Sequence, residues 1–378
     1  MANLEAPWLT SAGSLAVFAM LEGAGHQAWF VGGCVRNALM EEPVSDLDIA
    51  TDALPEDVMK LAEGAGLKAV PTGIAHGTVT VVSAAQTFEI TTFRRDVETD
   101  GRRAVVAFSE QMEDDARRRD FTVNALYAGK SGEVRDPVGG LADLEDRRFR
   151  FIGDPHHRIC EDYLRILRFF RFFAWYGRDL DADGLAACSS LSEGVLSLSA
   201  ERVTSEMLKL LAARDPARAV AAMEHAGILQ RVLPGGSSRF LAPFLHLDPV
   251  AEIDPIARLA AIGGDVSGLR LSRADAKALD AYRHGLENTW SAGRLGYALG
   301  EDQALRVLAL RAALFEHPLD PAHLEAARKG AASVLPVRAA DLPDTLVGPE
   351  IGNALKILED RWIDSDFGPS KAELLASL

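Results

Sequence analysis

The pattern of apolar and polar positions changes partway along this chain. In the first part, residues 77–82 and 87–93 are rich in β-branched and aromatic residues that alternate with polar ones, a pattern typical of strands. In the same part of the chain, apolar residues three and four positions apart predict helices at 13–25 and 54–65. After about residue 150 only the helical period remains, interrupted by short Gly or Pro breaks. The pattern therefore predicts an α+β part followed by an all-helical part.

The helical part divides into several amphipathic segments. We predict helices at 158–172, 199–211, 216–233, 255–262, 273–286, 302–314, 321–335, 348–362 and 371–378. A chain of 378 residues is too long for one small core, so two or more domains are expected.

Composition and charge restrict the class of protein. The hydrophobic fraction of 48% and the charged fraction of 25% are typical of a globular protein, and no apolar run is long enough to span a membrane, so we expect a cytoplasmic location. Three cysteines without CxxC spacing argue against a zinc site and against a disulfide framework. The net charge of −15 disfavours a polyanionic partner. Residues 147–178 are rich in arginine, however, and predict a local basic surface.

The first candidate site lies between residues 29 and 51. A strand would place Asp46 and Asp48 on one face, where two carboxylates supply the hard oxygen ligands that Mg²⁺ prefers. Gly32 and Gly33 precede a short helical pattern and would let a triphosphate approach the backbone N–H groups. Taken singly, each motif more often marks an ordinary turn or strand end. Their combination, with a helix between them, favours a metal and phosphate site.

These motifs resemble a known signature. The segment GGCVRN followed by DLD is similar to the GGxVRD and DxD pattern of the tRNA nucleotidyltransferase and bacterial poly(A) polymerase family, within the DNA polymerase beta superfamily. Asn37 stands where the family has aspartate, and we expect it to accept a backbone hydrogen bond at the helix N-terminal turn. The resemblance implies that Gly32, Gly33 and Arg36 bind the nucleotide.

Two further segments extend the resemblance. Glu89 lies in a predicted strand on the face opposite its apolar neighbours and would be a third catalytic carboxylate, although an exposed strand glutamate is the simpler alternative. The polar residues after this strand resemble the family's flexible loop; they are Arg94, Arg95, Asp96, Asp100 and Arg102. The segment RRDFTVNAL matches the family's next motif, which implies that Arg119 and Asn124 contact the nucleotide.

The segment EDYLRILRFFRF supplies a candidate for base selection. On the predicted helix, Asp162, Arg165, Arg168 and Arg171 step by three along one flank. Cytosine and adenine share an amino donor beside a ring-nitrogen acceptor, so an Asp acceptor with an Arg donor would select them against uracil and guanine. An ordinary charged helix surface is the alternative. The segment matches the family's template motif, and the resemblance assigns these four residues to nucleotide binding.

The resemblance implies a complete architecture and activity. The expected fold is an α+β nucleotidyltransferase head with a small mixed sheet at 1–150, a helical neck with the template helix at 151–213, and a helical body and tail at 214–378. The expected activity is that of a class II tRNA nucleotidyltransferase, which adds C, C and A to the tRNA 3′ end from CTP and ATP. Mg²⁺ on Asp46 and Asp48 is the expected cofactor, and neither a membrane nor a protein partner is implied.

Three alternatives remain open from the sequence. A bacterial poly(A) polymerase shares the head motifs, but this chain lacks a strongly basic tail. A partial enzyme that adds only CC typically lacks the loop at 93–110, which is present here. A non-catalytic RNA-binding protein would tolerate loss of Asp46 and Asp48, and both are retained.

Overall fold

A mixed sheet forms the centre of the first part of the chain in the computed structural model, which describes residues 3–99, 104–343 and 345–378. In the described part, its seven strands have the order β3-β4-β5-β2-β1-β8-β9, and only β2 and β5 are parallel neighbours. The strands are β1 Ala28–Val31, β2 Leu47–Thr51, β3 Lys68–Gly73, β4 Thr78–Ser83, β5 Gln86–Thr92, β8 Tyr127–Ala128 and β9 Val134–Arg135. Two more, β6 Arg94–Thr99 and β7 Ala104–Phe108, pair as a separate antiparallel hairpin.

The hairpin corrects one sequence expectation. The polar residues after β5 were expected to form a flexible loop, but Arg94 and Arg95 belong to β6 and pair with Phe108 and Ala107 of β7. Asp100 and Arg102, assigned to the same loop, lie outside the described residues.

Eight helices surround these strands in the described part of the chain up to residue 199. They are α1 Ala12–Gly23, α2 Gly33–Leu39, α3 Pro55–Gly64, α4 Met112–Arg117, α5 Gly140–Glu145, α6 Pro155–Glu161, α7 Leu164–Tyr176 and α8 Ala182–Ser190. Helix α3 shows the local sequence signals that start a helix. Pro55 lies in its first turn, and the negative charges of Glu56 and Asp57 in that turn stabilise the positive end of the helix dipole.

The two faces of the sheet differ in how they are covered. Helices α1 and α3 pack on the face that carries Phe30, Ile49, Val81 and Ile90, which are each at most 1% exposed. On the opposite face, an apolar cluster covers β1 and neighbouring strands; its buried members are Val31, Ala50, Phe93, Met112, Ala116, Ala125, Tyr127 and Ile152. Alternating burial along β4 and β5 follows directly from the period-2 pattern of their sequences.

The helix predicted at 158–172 is wrong as a single element. Helix α6 ends at Glu161, and α7 starts at Leu164. Between them Asp162 is extended, with φ −157° and ψ 104°, and its Oδ1 accepts a hydrogen bond from the Leu164 backbone N–H at 3.1 Å. An aspartate that caps a new helix competes with helix continuation, which explains the break.

The remainder of the described chain is helical. Its helices are α9 Ala200–Leu211, α10 Ala217–His225, α11 Leu229–Val232, α12 Leu241–Leu247, α13 Pro255–Ile262, α14 Arg273–Glu287, α15 Ala292–Leu299, α16 Glu301–Leu314, α17 Pro321–Ala332, α18 Pro349–Asp364 and α19 Lys371–Leu375. The single helix predicted at 216–233 is wrong: the chain turns at Gly227, whose φ is +73°, between α10 and α11. Helices α12 and α15 were not predicted. No helix in the described residues is both long and apolar enough to cross a membrane.

The chain forms two units. One comprises Met1–Ser199 with Ala226–Arg231, and the other comprises Ala200–His225 with Val232–Leu378. In the first unit a cluster of phenylalanine rings packs α7 against the segment between α4 and β8, with Phe121 and Phe172 5.3 Å apart between centroids. This packing brings the template segment and the head motifs into one unit.

Candidate active site

Two carboxylates lie side by side on the central parallel strands. The register of β2 and β5 pairs Asp48 with Glu89, so both side chains leave the same face of the sheet. Asp48 is half-buried and Glu89 is exposed. Asp46 lies two residues earlier, just before β2, is exposed, and accepts a hydrogen bond from Ser45 Oγ at 2.9 Å. The structure therefore brings the predicted strand carboxylates Asp48 and Glu89 together, with Asp46 at the strand entrance.

The electrostatics of this group fit a cation. Burial, and then the neighbouring Glu89 and Asp46 carboxylates, raise the pKa of Asp48 to about 6, against the opposing effect of Arg119. Such mutual repulsion is relieved when a cation binds, and carboxylate oxygens suit a hard divalent ion. Within the described residues, no group of three or more His, Cys, Asp or Glu side chains is arranged to hold a metal ion. The support for a divalent cation is therefore the oxygen chemistry of Asp48, Glu89 and Asp46 and their mutual repulsion.

Gly32 and Gly33 lie beside these carboxylates, at the end of β1. Gly32 has a φ of +72° and precedes the first turn of α2. A Cβ on Gly32 would lie 3.3 Å from Arg119 Nη1. Its positive φ is also a backbone conformation that residues with a side chain rarely adopt. The glycine therefore lets the Arg119 guanidinium approach the backbone where a helix offers unpaired N–H groups.

Arg119 is fixed by a buried aspartate that the sequence motifs did not single out. Its Nη2 lies 2.9 Å from Asp115 Oδ2, which also accepts a hydrogen bond from the Tyr127 hydroxyl at 2.8 Å. Burial raises the pKa of Asp115, but Arg119 and Arg118 lower it more, so the pKa of this carboxyl lies well below its usual value. Arg119 is consequently held in one orientation next to Gly32. Its spacing of four residues from Asp115 on α4 was a detectable signal.

Arg36 is buried and contacts two of the predicted motifs. Its Nη1 donates to Asn124 Oδ1, and its Nη2 donates to Asn37 Oδ1 at 2.7 Å. The guanidinium carbon also lies 4.7 Å from the Tyr176 ring centroid on α7. The expectation for Asn37 is corrected: its oxygen accepts from the Arg36 side chain, and its Nδ2 donates to the Pro43 carbonyl at 2.7 Å. Asn37 thus ties Arg36 to the turn before β2.

A second buried aspartate joins the head motif to α7. Asp120 accepts from Asn124 Nδ2 at 2.9 Å and from Arg168 Nε at 2.8 Å. Burial raises the pKa of Asp120, but Arg168 and Asn124 lower it more, so the pKa of this carboxyl lies well below its usual range. Sequence reasoning missed Asp120, although it lies inside the matched RRDFTVNAL segment. The chain of contacts runs from Arg36 through Asn124 and Asp120 to Arg168.

The four template residues do not form one continuous ridge. Asp162 lies in the break before α7, while Arg165, Arg168 and Arg171 lie on the helix itself. Arg165 forms an ion pair with the half-buried Glu161, and its Nη1 donates to the Arg158 carbonyl at 2.6 Å. The Arg171 guanidinium carbon lies 4.3 Å from the Phe172 ring centroid. The sequence predicted Asp162 on the same helix flank as the three arginines, but the break places it outside α7.

The basic segment 147–178 is largely paired with acids. Asp143 accepts from Arg148 Nη2 at 2.8 Å and from Arg150 Nε at 3.0 Å. Glu161 forms ion pairs with Arg158 and Arg165. The predicted basic surface is therefore weaker than the arginine count suggests.

Comparisons with known proteins place the chain in a family. Residues 28–150 match the Poly A polymerase head domain, and residues 179–239 match the probable RNA and SrmB-binding site of polymerase A. With this head domain, the chain is a nucleotidyltransferase.

The curated relatives and solved structures narrow this class. The CCA-adding enzyme of Geobacillus thermodenitrificans is 32% identical over 390 residues, covering 97% of this chain and 91% of that protein. The CCA-adding enzyme of Streptococcus gordonii is 39% identical over 239 residues, 62% of this chain and 59% of that protein. The Bacillus stearothermophilus CCA-adding enzyme, solved in complex with CTP, has a TM-score of 0.81 and 29% identity, covering 98% of this chain and 97% of that one. The chain belongs to the family of CCA-adding enzymes, a family that suggests a divalent metal.

Proposed function

We propose that this protein adds C, C and A to the 3′ end of tRNA, using CTP and ATP without a nucleic-acid template. The single observation that supports the proposal best is the placement of Asp48 beside Glu89 across parallel strands, next to Gly32 and Arg119. Similarity to CCA-adding enzymes over nearly the full chain supports the choice of substrates. The comparisons favour this activity over poly(A) synthesis, CC addition alone or RNA binding without catalysis.

We propose Mg²⁺ as the metal, with Asp46 and Asp48 as its ligands and Glu89 as a third carboxylate. When bound, Mg²⁺ would stabilise the negative charge on the attacking and leaving oxygens. Gly32, Gly33 and Arg119 would hold the triphosphate, so that the tRNA 3′-hydroxyl attacks the α-phosphorus in line and pyrophosphate leaves.

We propose that Arg36 and Asn124 orient the sugar and phosphates from the back of the site. Arg36 is buried between Asn124 and the Phe172 and Tyr176 rings, so it forms a fixed cationic support. Such preorganised charge contributes more than a mobile surface arginine, because it costs no reorganisation during the reaction.

We propose that Asp162 and Arg165 select the base. Arg168 and Arg171 would contact the nucleotide or its phosphates. Asp162 would accept from the amino group of C or A, and Arg165 would donate to the ring nitrogen. Glu161 and the Arg158 carbonyl restrict the Arg165 guanidinium, which supports a specific rather than a general charge contact.

The proposed division of the chain is a head at 1–150, a neck at 151–213, and a body and tail at 214–378 that hold the tRNA. A cytoplasmic location remains a prediction.

The decisive experiment supplies Mg²⁺, all four nucleoside triphosphates and tRNA that ends at its discriminator base, followed by sequencing of the 3′ ends. Uniform CCA ends are expected. CC ends alone would indicate a partial enzyme, and long A tracts a poly(A) polymerase. Absence of any addition would contradict the proposal. Asp48→Ala is the matched inactive control and should still bind tRNA.

A further inference from the structure

Arg36 differs from the other arginines of the site in its partners. Three of those arginines form an ion pair with a carboxylate: Arg119 with Asp115, Arg168 with Asp120, and Arg165 with Glu161. Arg36 is only 6% exposed, yet it forms no ion pair with any carboxylate in the described part of the chain. Its guanidinium donates to the amide oxygens of Asn37 and Asn124 and lies against the Phe172 and Tyr176 rings. Because all four neighbours are neutral, Arg36 is a buried cation without an adjacent counter-ion.

A buried charge of this kind is energetically costly. Burial lowers the pKa of Arg36, against the opposing effects of Tyr176 and of Asp120, which acts on Arg36 without forming an ion pair with it. Transfer of a cation out of water costs free energy that neutral oxygens and ring faces offset only in part. An anion bound at the guanidinium would offset the rest. The surroundings of Arg36 therefore favour an anionic ligand.

The guanidinium lies beside the glycine pair of the site. A Cβ on Gly33 would be 3.9 Å from Arg36 Nη2, and a Cβ on Gly32 would be 3.3 Å from Arg119 Nη1. Two arginines thus flank the two glycines, one with a carboxylate partner and one without. Under the proposed function, the anion that reaches this position is the triphosphate of CTP or ATP.

The structure at position 37 suits an amide and not a carboxylate. Asn37 Oδ1 accepts from Arg36 Nε at 3.1 Å and from Arg36 Nη2 at 2.7 Å, and Asn37 Nδ2 donates to the Pro43 carbonyl at 2.7 Å. Since a carbonyl oxygen can only accept, the amide nitrogen has to face Pro43 and the amide oxygen has to face Arg36. An aspartate would have no donor for Pro43 and would place a negative charge against Arg36. The asparagine therefore orients the guanidinium without neutralising it.

We infer that Asn37 is a positioning residue that sets the affinity for the triphosphate, because it leaves the charge of Arg36 to be balanced by a phosphate of the incoming nucleotide. The inference rests on the proposed function, which locates the triphosphate at Gly32 and Gly33. A phosphate of the tRNA is the other possible source of the same charge, and the test separates the two sources.

The test compares Asn37→Asp with Asn37→Ala in the full chain. Aspartate keeps an acceptor for Arg36 and adds a negative charge, whereas alanine removes the acceptor and adds no charge. Asn353→Asp is the matched control, since it makes the same charge change at an exposed position of α18 in the second unit. Thermal melting verifies that each variant is folded.

Three binding measurements distinguish the ligands. Equilibrium dialysis with labelled CTP and Mg²⁺, without tRNA, gives the Kd for the nucleotide. Displacement of that CTP by pyrophosphate measures binding of the phosphate charge without the base. Filter binding of tRNA that lacks CCA, without nucleotide, gives the Kd for the RNA.

We expect Asn37→Asp to raise the Kd for CTP about tenfold, because a carboxylate competes with phosphate for the same guanidinium. Pyrophosphate should lose affinity by a similar factor, while the Kd for tRNA stays within about twofold. Asn37→Ala should raise the Kd for CTP at most about threefold, since the charge of Arg36 remains uncompensated. Asn353→Asp should bind CTP as the wild type does.

Three outcomes would overturn the inference. The first is an unchanged Kd for CTP in Asn37→Asp. The second is a loss in Asn37→Ala as large as that in Asn37→Asp, because Asn37 would then act only by holding Arg36 in place. The third is a loss of affinity for tRNA instead of CTP, which would make an RNA phosphate the counter-charge.

If Asn37→Asp does not fold, Asn37→Ala decides the question. A loss of CTP affinity of about tenfold or more in this neutral variant would overturn the inference, and a Kd within about threefold of the wild type would support it. A wild-type protein that binds CTP but adds no nucleotide to tRNA would contradict the proposed function, and the comparison of CTP affinities would still decide the role of Asn37.

Discussion

At the scale of single residues, the site is organised by buried acids that fix cations. Asp115 orients Arg119, and Asp120 connects Asn124 to Arg168. Asp48 is the contrasting case, because its nearest acidic neighbours repel it. Burial and the neighbouring acids raise the pKa of Asp48 in spite of Arg119, and a bound cation would stabilise its ionised form further, so Asp48 should be sensitive to both pH and metal.

Asp48→Asn is expected to stabilise the metal-free protein while abolishing nucleotide addition. The pKa of Asp48 is raised from 3.8 to about 6 in the folded protein, so its ionisation costs stability as pH rises through this window. The gain in free energy of unfolding should therefore be only about 0.5 kcal/mol near pH 4 and about 3 kcal/mol at pH 7.5. Thermal melts of both proteins across this pH range provide the measurement.

Addition of Mg²⁺ should reverse the order of stability in this pair. The ion should raise the Tm of the wild type and leave that of Asp48→Asn almost unchanged, because the variant lacks one of the two proposed ligands. Equal Tm shifts in both proteins would contradict the metal assignment.

Asp162→Asn is expected to relax base selection with the fold intact. An asparagine retains the oxygen that accepts from the Leu164 N–H, but replaces the other oxygen by an amino donor. Such a donor can pair with O4 of uracil, so the ratio of UTP to CTP incorporation should rise about tenfold. Asp154→Asn is the control, since Asp154 caps α6 through the His157 N–H and should leave selection unchanged. A variant that selects CTP as strictly as the wild type does would rule out the template role of Asp162.

At the scale of elements, glycines decide how closely neighbouring helices pack. In the second unit, α15 and α17 approach until a Cβ on Gly296 would lie 1.9 Å from the Ala327 carbonyl oxygen. A Cβ on Gly330 would lie 2.0 Å from the Gly293 oxygen. These contacts involve the backbone, which cannot move aside as a flexible side chain can.

Gly296→Ala is expected to destabilise the protein by about 3 kcal/mol, because the added methyl group forces α15 and α17 apart. Gly352→Ala is the matched control: Gly352 lies within α18, and a Cβ there would meet no atom within 4 Å. That change should stabilise by up to about 1 kcal/mol through helix propensity. Chemical denaturation of both variants measures the difference, and similar effects at the two positions would contradict the packing argument.

At the scale of the whole molecule, an acidic protein has to bind an acidic substrate. The net charge is −15, and the arginine-rich segment is largely paired with buried or half-buried acids. The pairs are Asp143 with Arg148 and Arg150, Glu161 with Arg158 and Arg165, and Asp120 with Arg168. Because these arginines are already paired with carboxylates, few of them can neutralise RNA phosphates and release counterions. Recognition of the tRNA should therefore depend more on shape and hydrogen bonds than on charge.

The affinity for tRNA should therefore depend only weakly on salt. Between 50 and 200 mM salt we expect Kd to rise about tenfold, as for two phosphate contacts, instead of the roughly 10³-fold or greater change that six or more contacts produce. Titration of labelled tRNA at four salt concentrations measures the slope. A salt dependence of Kd as steep as that expected for six phosphate contacts would contradict this expectation. It would show that the arginines exchange their carboxylate partners for phosphates when tRNA binds.

The sequence by itself determined many of the elements and predicted most of the residues of the candidate site. Strand alternation located β4 and β5, and spaced apolar residues located α13, α14 and α16, because burial of one face imposes a period on the chain. The motifs predicted Asp48, Glu89, Gly32 and Arg119 as site residues for a related reason: short-range chemistry requires particular residues at fixed spacing.

Tertiary structure alone decided which of these residues meet and how they are held. The parallel register of β2 and β5 places Glu89 beside Asp48 across a separation of about 40 residues, and no local pattern specifies that pairing. The support of Arg36 by Asn37 and Asn124 depends in the same way on folding around the site. The break at Asp162 arose because a capping hydrogen bond outweighed the helical period.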